Sequence, residues 1–443
     1  MFSVAYKRYA LANLFVVYTV SGLDIGLLTI LLQPIKEDLR ISDTQIGILT
    51  GIAFALFNTT LGLPIARWAD RGNRVTLTAL ASGLWGLSLM SCLFVTSYPQ
   101  LLLARVVAAI VGSGVAAPTY SLLGDYFPDP AERVRAMYIY QAAAPVTVLV
   151  SNALGGWLNE LYGWRMTFFI MGAPAILLAL LIQWTLIEPR TQARSTRDAS
   201  LRRLPPFKEV LATIWLQPSC RHLMIALTVL FTMSDGLGPW YAAFMMRSHG
   251  MGTAELGAWM GSAIGLGGLL GTLLGRFAIG HWFGRTARGQ MRLAAGAIAA
   301  TTPFFLIFLT VPNGHLALIA LLPQVLVISV FFTPVWALLQ RLVPETMRAT
   351  VFMGMTLFAS FIGMGIGPQI VGTLSDLLSH ALGAESLRYA MLVVSFLGLW
   401  ASYHFWRLSQ TIEADLINAE RSLLPVDQAT QEFAAVTCTD RAR

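Results

Sequence analysis

Apolar runs of about twenty residues recur along the whole chain, with short polar stretches between them. Twelve can be marked, at about residues 10–32, 44–66, 75–96, 99–123, 135–158, 165–187, 220–246, 255–280, 291–311, 315–338, 349–376 and 387–408. As a helix, each is long enough to cross a hydrocarbon layer about 30 Å thick. Inside lipid every backbone N–H and C=O needs an internal partner, so spans of this length are helices and not open sheets. The pattern predicts an all-α membrane protein with twelve transmembrane helices.

The polar stretches orient these spans. With the N-terminus in the cytoplasm, five of the 30 Lys and Arg residues (Lys36, Arg40, Arg165, Arg247 and Arg388) fall outside, Arg105 falls within the fourth span, and the rest fall inside. Cytoplasmic loops carry the basic excess, so both termini are expected in the cytoplasm of a cell in whose plasma (inner) membrane the chain lies. The longest polar stretch, 188–217, carries Arg190, Arg194, Arg197, Arg202, Arg203 and Lys208 against Glu188, Asp198 and Glu209. It reads as a cytoplasmic linker near anionic headgroups. It divides the chain into an N-terminal bundle (1–187), a C-terminal bundle (218–408) and a polar cytoplasmic tail (409–443) with a short amphipathic surface helix near 413–424.

The two halves echo each other. "DPAERVRAMYIY" (129–140) precedes the fifth span and "VPETMRATVFMG" (343–354) the eleventh; "SGLDIG" (21–26) lies in the first span and "MSDGLG" (233–238) in the seventh. Parallel repeats of six helices predict two pseudo-symmetric bundles with a site between them near the bilayer midplane.

Composition agrees. The chain is 56% hydrophobic and 12% charged, with mean hydropathy +0.65. The net charge of +7 is spread over loops and forms no nucleic-acid stripe. Cys92, Cys220 and Cys438 lie far apart, so neither a disulfide framework nor a zinc site is expected. The six histidines show no HxxxH spacing and no GxxxxGK[ST] occurs, so no metal, cofactor or ATP hydrolysis is expected and an enzyme is disfavoured. Lys7 and Arg8 before an apolar run mimic a signal peptide, but the run is long and lacks a small-residue cleavage site, so it reads as an uncleaved first span.

Ionisable residues inside the spans are the candidate chemistry, because a charge at that depth is costly and usually faces a cavity or a partner. Asp24 sits in the first span, on a mildly polar stripe with Asn13, Val17 and Ser21. Arg105 in the fourth span lies at comparable depth and is its expected partner, and Ala109, Gly112, Ala116 and Tyr120 continue that face. Asp235 comes at similar depth from the other half. Asp24, Arg105, Asp235, Tyr120 and Ser21 are the candidate substrate and coupling residues. Asp24 would compete with a substrate anion for Arg105, and its protonation would free the arginine. The alternative is a structural bridge that only orients spans one and four. Phe331, Phe332 and Trp336 are either cavity wall or lipid-facing bulk.

"ARWADRGNRV" (66–75) resembles the cytoplasmic loop signature of the major facilitator superfamily. Asp70, Arg71 and Arg74 are read from it as a charge cluster that forms and breaks as the halves rock. The matching "GRFAIGHWFGR" (275–285) has Gly280 where the acid would stand.

Longer stretches resemble the spinster-like branch of that superfamily: "LLQPIKEDLRISDTQIGILTGIAFALFNTTLGLPIARWADR", "SLLGDYFP", "GWRMTFFIMGAPA", "GPQIVGTLSD" and "AESLRYAM". The resemblance implies the superfamily fold, alternating access, a cavity lined by spans one, four, seven and ten, and movement of lysophospholipids or sphingolipid-like amphiphiles with protons or other gradients. The chain departs from it at two places that are usually charged, Ile25 after the first-span aspartate and Gly112 seven residues after the fourth-span arginine. Asp235 is a candidate replacement acid. The expectation is a monomeric secondary transporter of an amphiphilic lipid, with a small organic anion or drug-like molecule as the alternative substrate. A non-transporting sensor on the same fold is the alternative of another class.

Overall fold

The computed structural model describes residues 2–189, 212, 214–281, 286–343 and 347–421. Eight helical stretches are long and apolar enough to cross a bilayer, or nine if Pro218–Leu237 and Trp240–His249, bent by 44°, count as one. Two of the eight are far too long for one crossing, Pro130–Thr185 (56 residues) and Thr350–Ala419 (70 residues). Each turns back on itself at a glycine with positive φ, Gly163 (φ 75°) and Gly383 (φ 54°). With Asp43–Thr50 and Ile52–Arg71 added as the second span, the described residues form twelve membrane-length segments in two bundles of six.

The segments follow the expected order. Span one is Val4–Ser21 with Leu23–Leu39, three begins at Arg74, and four is Tyr98–Tyr126. Five and six share Pro130–Thr185. Seven is the bent pair, eight runs from Thr253 to His281, and nine is Ala287–Thr310. Ten runs from Gly314 to Leu342, eleven is Arg348–Leu382, and twelve begins at Ser386 and ends at Arg421. The twelfth helix runs unbroken through position 408, where a boundary was expected. Its polar end is tied back by Asp415, which accepts from the Ser219 N–H at 2.9 Å, and by Glu413, 2.8 Å from Arg288. Most of the expected linker, and the tail after Arg421, lie outside the described residues.

Polar caps start the helices where the apolar runs begin. Ser42 and Gln45 form a reciprocal capping box on span two, and Asn73, Asp129, Thr286 and Asn313 cap spans three, five, nine and ten. Large apolar side chains such as Leu103, Leu177, Trp184 and Leu377 point outward and are mostly exposed. That surface is stable only against lipid. Inward, Trp85, Trp240, Phe168, Phe244 and Phe308 are fully buried.

Hydrogen bonds that join the two halves among the described residues cluster at one end of the molecule. We call it the latch end, and the end that carries residues 186–189 the linker end. At the latch end Thr253 Oγ1 of span eight donates to the Gly156 carbonyl at 3.0 Å, and Asn159 Nδ2 donates to Thr253 Oγ1 at 3.1 Å. A Cβ on Gly156 would fall on the Thr253 carbonyl, so only glycine lets spans five and eight close there.

Candidate functional site

Between the halves lies a cavity of about 370 Å³. Three helices break where they face it. Span one is interrupted at Gly22, span two at Gly51, and span seven bends at Gly238 and Pro239. Span eight passes it as a π-helical stretch, Gly261–Leu266. Interrupted helices put free helix ends inside the membrane, which is where transporter folds build polar sites.

Asp24 stands in the first turn of the segment that restarts at Leu23. A helix N-terminus carries partial positive charge, so a carboxylate is favoured there. Arg105 Nη1 donates to Asp24 Oδ2 at 2.7 Å. Both are deeply buried, Asp24 at 3% exposure and Arg105 at 5%. The guanidinium also stacks over Phe54, 5.2 Å from the ring centroid. Its Nε has no hydrogen-bond partner. The cation is therefore neutralised by one carboxylate while part of its donor capacity stays unused.

Around the pair the wall is mostly apolar. Tyr18, Ile25 and Leu28 come from span one, Phe54 from span two, Met260 and Ile264 from span eight, and Met364 and Pro368 from span eleven. Span five adds the polar Thr147, Ser151 and Asn152. From the second half, Asp235 lines the same cavity; its side chain receives one weak hydrogen bond, from Ser234 Oγ at 3.4 Å.

Arg105 and Asp235 thus line one cavity; Asp24 stands behind the wall, joined to it through Arg105, and Ser21 and Tyr120 do not line it. Ser21 ends the segment before the break at Gly22 and Asp24 lies in the segment after it. Ser21 Oγ is buried without a partner, and Asn13 donates to the Tyr9 carbonyl at 2.9 Å. Tyr120 lies nearer the linker end, half-exposed, and donates to Gln141 Oε1 at 2.9 Å. Arg105 is what span four contributes, and span ten contributes nothing among the described residues. Spans one and seven line it, and spans two, five, eight and eleven complete the wall. A polar Thr-x-x-x-Ser-Asn spacing at 147–152 is the signal that could have pointed to span five.

The expected cluster at 70–74 is also placed differently. Arg74 is fully buried inside the first half. It bonds Glu188 through Nε, at 3.1 Å, and Nη2, Asp125 through Nη1 at 2.7 Å, and Ser121 Oγ at 2.8 Å. The Arg74 N–H donates to Glu188 Oε2 at 2.6 Å. Glu188 was read as a linker charge, but it folds back beneath the bundle and captures the arginine. Asp70 and Arg71 close the helix Ile52–Arg71, and their side chains lie outside the described residues.

Residues 14–368 match the Major Facilitator Superfamily. The chain belongs to this superfamily. An MFS-type efflux pump of Mycolicibacterium smegmatis is 30% identical over 421 residues, which cover 93% of this chain and 95% of the pump. A cis,cis-muconate transport protein of Acinetobacter baylyi is 25% identical over 83% of this chain and 88% of its own length. The crystal structure of a bacterial homologue of the human lysosomal transporter Spinster, inward-facing and unoccupied, superimposes with a TM-score of 0.82 at 26% identity, covering 94% of this chain and 99% of that one. This Major Facilitator Superfamily member is a spinster-like, multi-pass membrane transporter and not an enzyme.

Proposed function

We propose that the chain is a secondary transporter that moves an amphiphilic organic anion across the bilayer by alternating access. The observation that carries this reading is Arg105, a cation with unused donor capacity on the wall of an otherwise largely apolar cavity. A carboxylate or phosphate head group would take the guanidinium's free side. The apolar body would lie along Ile25, Leu28, Phe54, Met260 and Met364. A lysolipid or sphingolipid-like amphiphile leads on the spinster-like resemblance. A small carboxylate has the same chemistry, and the muconate transporter among the relatives supports it, as does a volume at the lower end of ordinary ligand pockets.

The two halves would rock about the cavity, with the linker and both termini in the cytoplasm, as the basic loops favour. The latch end is then the outer one, and this structure has its outer side closed.

The test is thermal stabilisation of the purified protein by three probes at equal concentration: lysophosphatidylglycerol, cis,cis-muconate and an uncharged monoacylglycerol. Stabilisation by lysophosphatidylglycerol supports the lipid, and by muconate alone the small anion. Equal stabilisation by the uncharged monoacylglycerol contradicts both.

A further inference from the structure

Two carboxylates serve the cavity in different electrostatic settings, Asp235 on its wall and Asp24 behind it on Arg105. Asp24 starts a helix and is paired with Arg105. Asp235 has neither advantage. It lies two residues before the end of Pro218–Leu237, where the helix presents its negative pole. No Lys or Arg bridges it among the described residues, and its hydrogen bond to Ser234 is long at 3.4 Å.

The ionisable groups that share its surroundings are few. From the first half Arg105 and Tyr18 line the cavity, and Asp24 pairs with Arg105 behind its wall. Tyr241 is buried on the half-helix that follows. Spans two, five, eight and eleven bring no ionisable side chain to the cavity among the described residues. On span twelve His404 pairs with His222, Nδ1 to Nδ1 at 3.0 Å, on the order of 20 Å along the helix towards the linker end. Asp24 and Arg105 cancel, so the cavity's charge balance rests on Asp235. Bringing an anion in beside an uncompensated carboxylate in a low-dielectric site is costly, and a proton on the carboxylate removes that cost.

We propose that Asp235 is the residue through which protons enter the transport cycle. It takes a proton from water when an anionic amphiphile binds at Arg105, and returns it when the amphiphile leaves. Binding coupling is reciprocal, so the proton tightens anion binding by the same factor as the anion tightens proton binding. This rests on the anion reading above. It moves the pH response from Asp24, where the sequence suggested it, to the opposite half.

Dicyclohexylcarbodiimide tests it in the wild-type protein. This apolar reagent adds to the O–H of a carboxylic acid, not to a carboxylate, and rearranges to a stable N-acylurea that peptide mass spectrometry can locate. The expected result is an adduct on Asp235 that increases as pH falls from 8 to 6 and increases further with lysophosphatidylglycerol or cis,cis-muconate. In parallel, an indicator dye in weak buffer should record uptake of about one proton per anion bound in the wild type and none in Asp235→Asn. An adduct on Asp24 instead, no adduct at any pH, or protection of Asp235 by the cationic amphiphile dodecylamine would overturn the proposal. Labelling that follows pH but ignores both anions rejects the substrate reading and leaves Asp235 as the proton site.

Discussion

Arg247 of the second half grips Asp43 of the first through two parallel hydrogen bonds, each 2.8 Å long. Lys36 Nζ at 2.5 Å and Ser375 Oγ at 2.6 Å complete the shell around the same carboxylate. Two carboxylates then cap helices across the interface. Asp376, on span eleven, accepts from the Asp43 and Thr44 N–H groups at 3.1 and 2.7 Å. Glu160, at the end of span five, accepts from the Ala254 N–H at 2.9 Å, at the start of span eight. Each half therefore caps a helix of the other, in the positions that the internal repeat makes equivalent.

Breaking this latch should open the cavity on that side. A buried pair that loses one partner leaves an uncompensated charge. We expect Arg247→Ala to raise the labelling rate of Ile25→Cys, by a membrane-impermeant maleimide applied at the latch end, by on the order of tenfold or more. Asp43→Asn should act in the same direction.

Closing can also be blocked sterically. Any side chain at Gly156 meets the Thr253 carbonyl. Gly156→Val should hold the latch end apart and expose the same cysteine to the same reagent, without touching any charge. Unchanged labelling would show that spans five and eight are not the closing contact.

The latch should ignore pH in the ordinary range. Burial alone would raise the Asp43 carboxyl; hydrogen bonds and charge from Arg247, with Lys36 and Ser375, outweigh it and hold the carboxyl at about 2. A carboxyl depressed in the closed state stabilises that state above its ordinary value near 3.8, and the contribution is lost only as pH falls towards 2. The rate of Ile25→Cys labelling from the latch end, with the cavity empty and taken relative to the same cysteine in the Gly156→Val background at the same pH so that thiol ionisation cancels, should therefore be flat from pH 8 to 5.

Arg74 is expected to matter for stability. Arg74→Ala would remove the fully buried cation that Glu188, 5% exposed, and Asp125 both hold beneath the first bundle. The cost should be about 3–5 kcal/mol, read as a lowered melting temperature in detergent. If Arg74 acted only in rocking, transport would fall and the melting temperature would not.

The deep features of the site were legible in the sequence because depth in a membrane helix can be counted. At one residue per 1.5 Å, Asp24 and Arg105 reach the same level from opposite ends, and the structure pairs them. The repeat and the loops likewise predicted the two bundles. Helix breaks were not legible, and neither was the way Asp24 reaches the cavity only through Arg105. Tertiary partners distant in sequence were not legible either. Nothing near Arg74 announces Glu188, and Arg247 reads only as one of the outer basic residues until the halves are brought together.

The most direct test of the account is the affinity of the purified protein for its stabilising anion at fixed pH, compared among wild type, Asp24→Asn and Arg105→Ala. If Arg105 is the anion's contact and Asp24 its resident counter-charge, Asp24→Asn removes a competitor. It should bind as tightly as wild type or tighter, by up to about tenfold, or about 1.4 kcal/mol, while Arg105→Ala should lose binding. If Arg105→Ala binds like wild type, or Asp24→Asn loses binding as Arg105→Ala does while both remain folded, the pair is a structural bridge and the central claim is wrong.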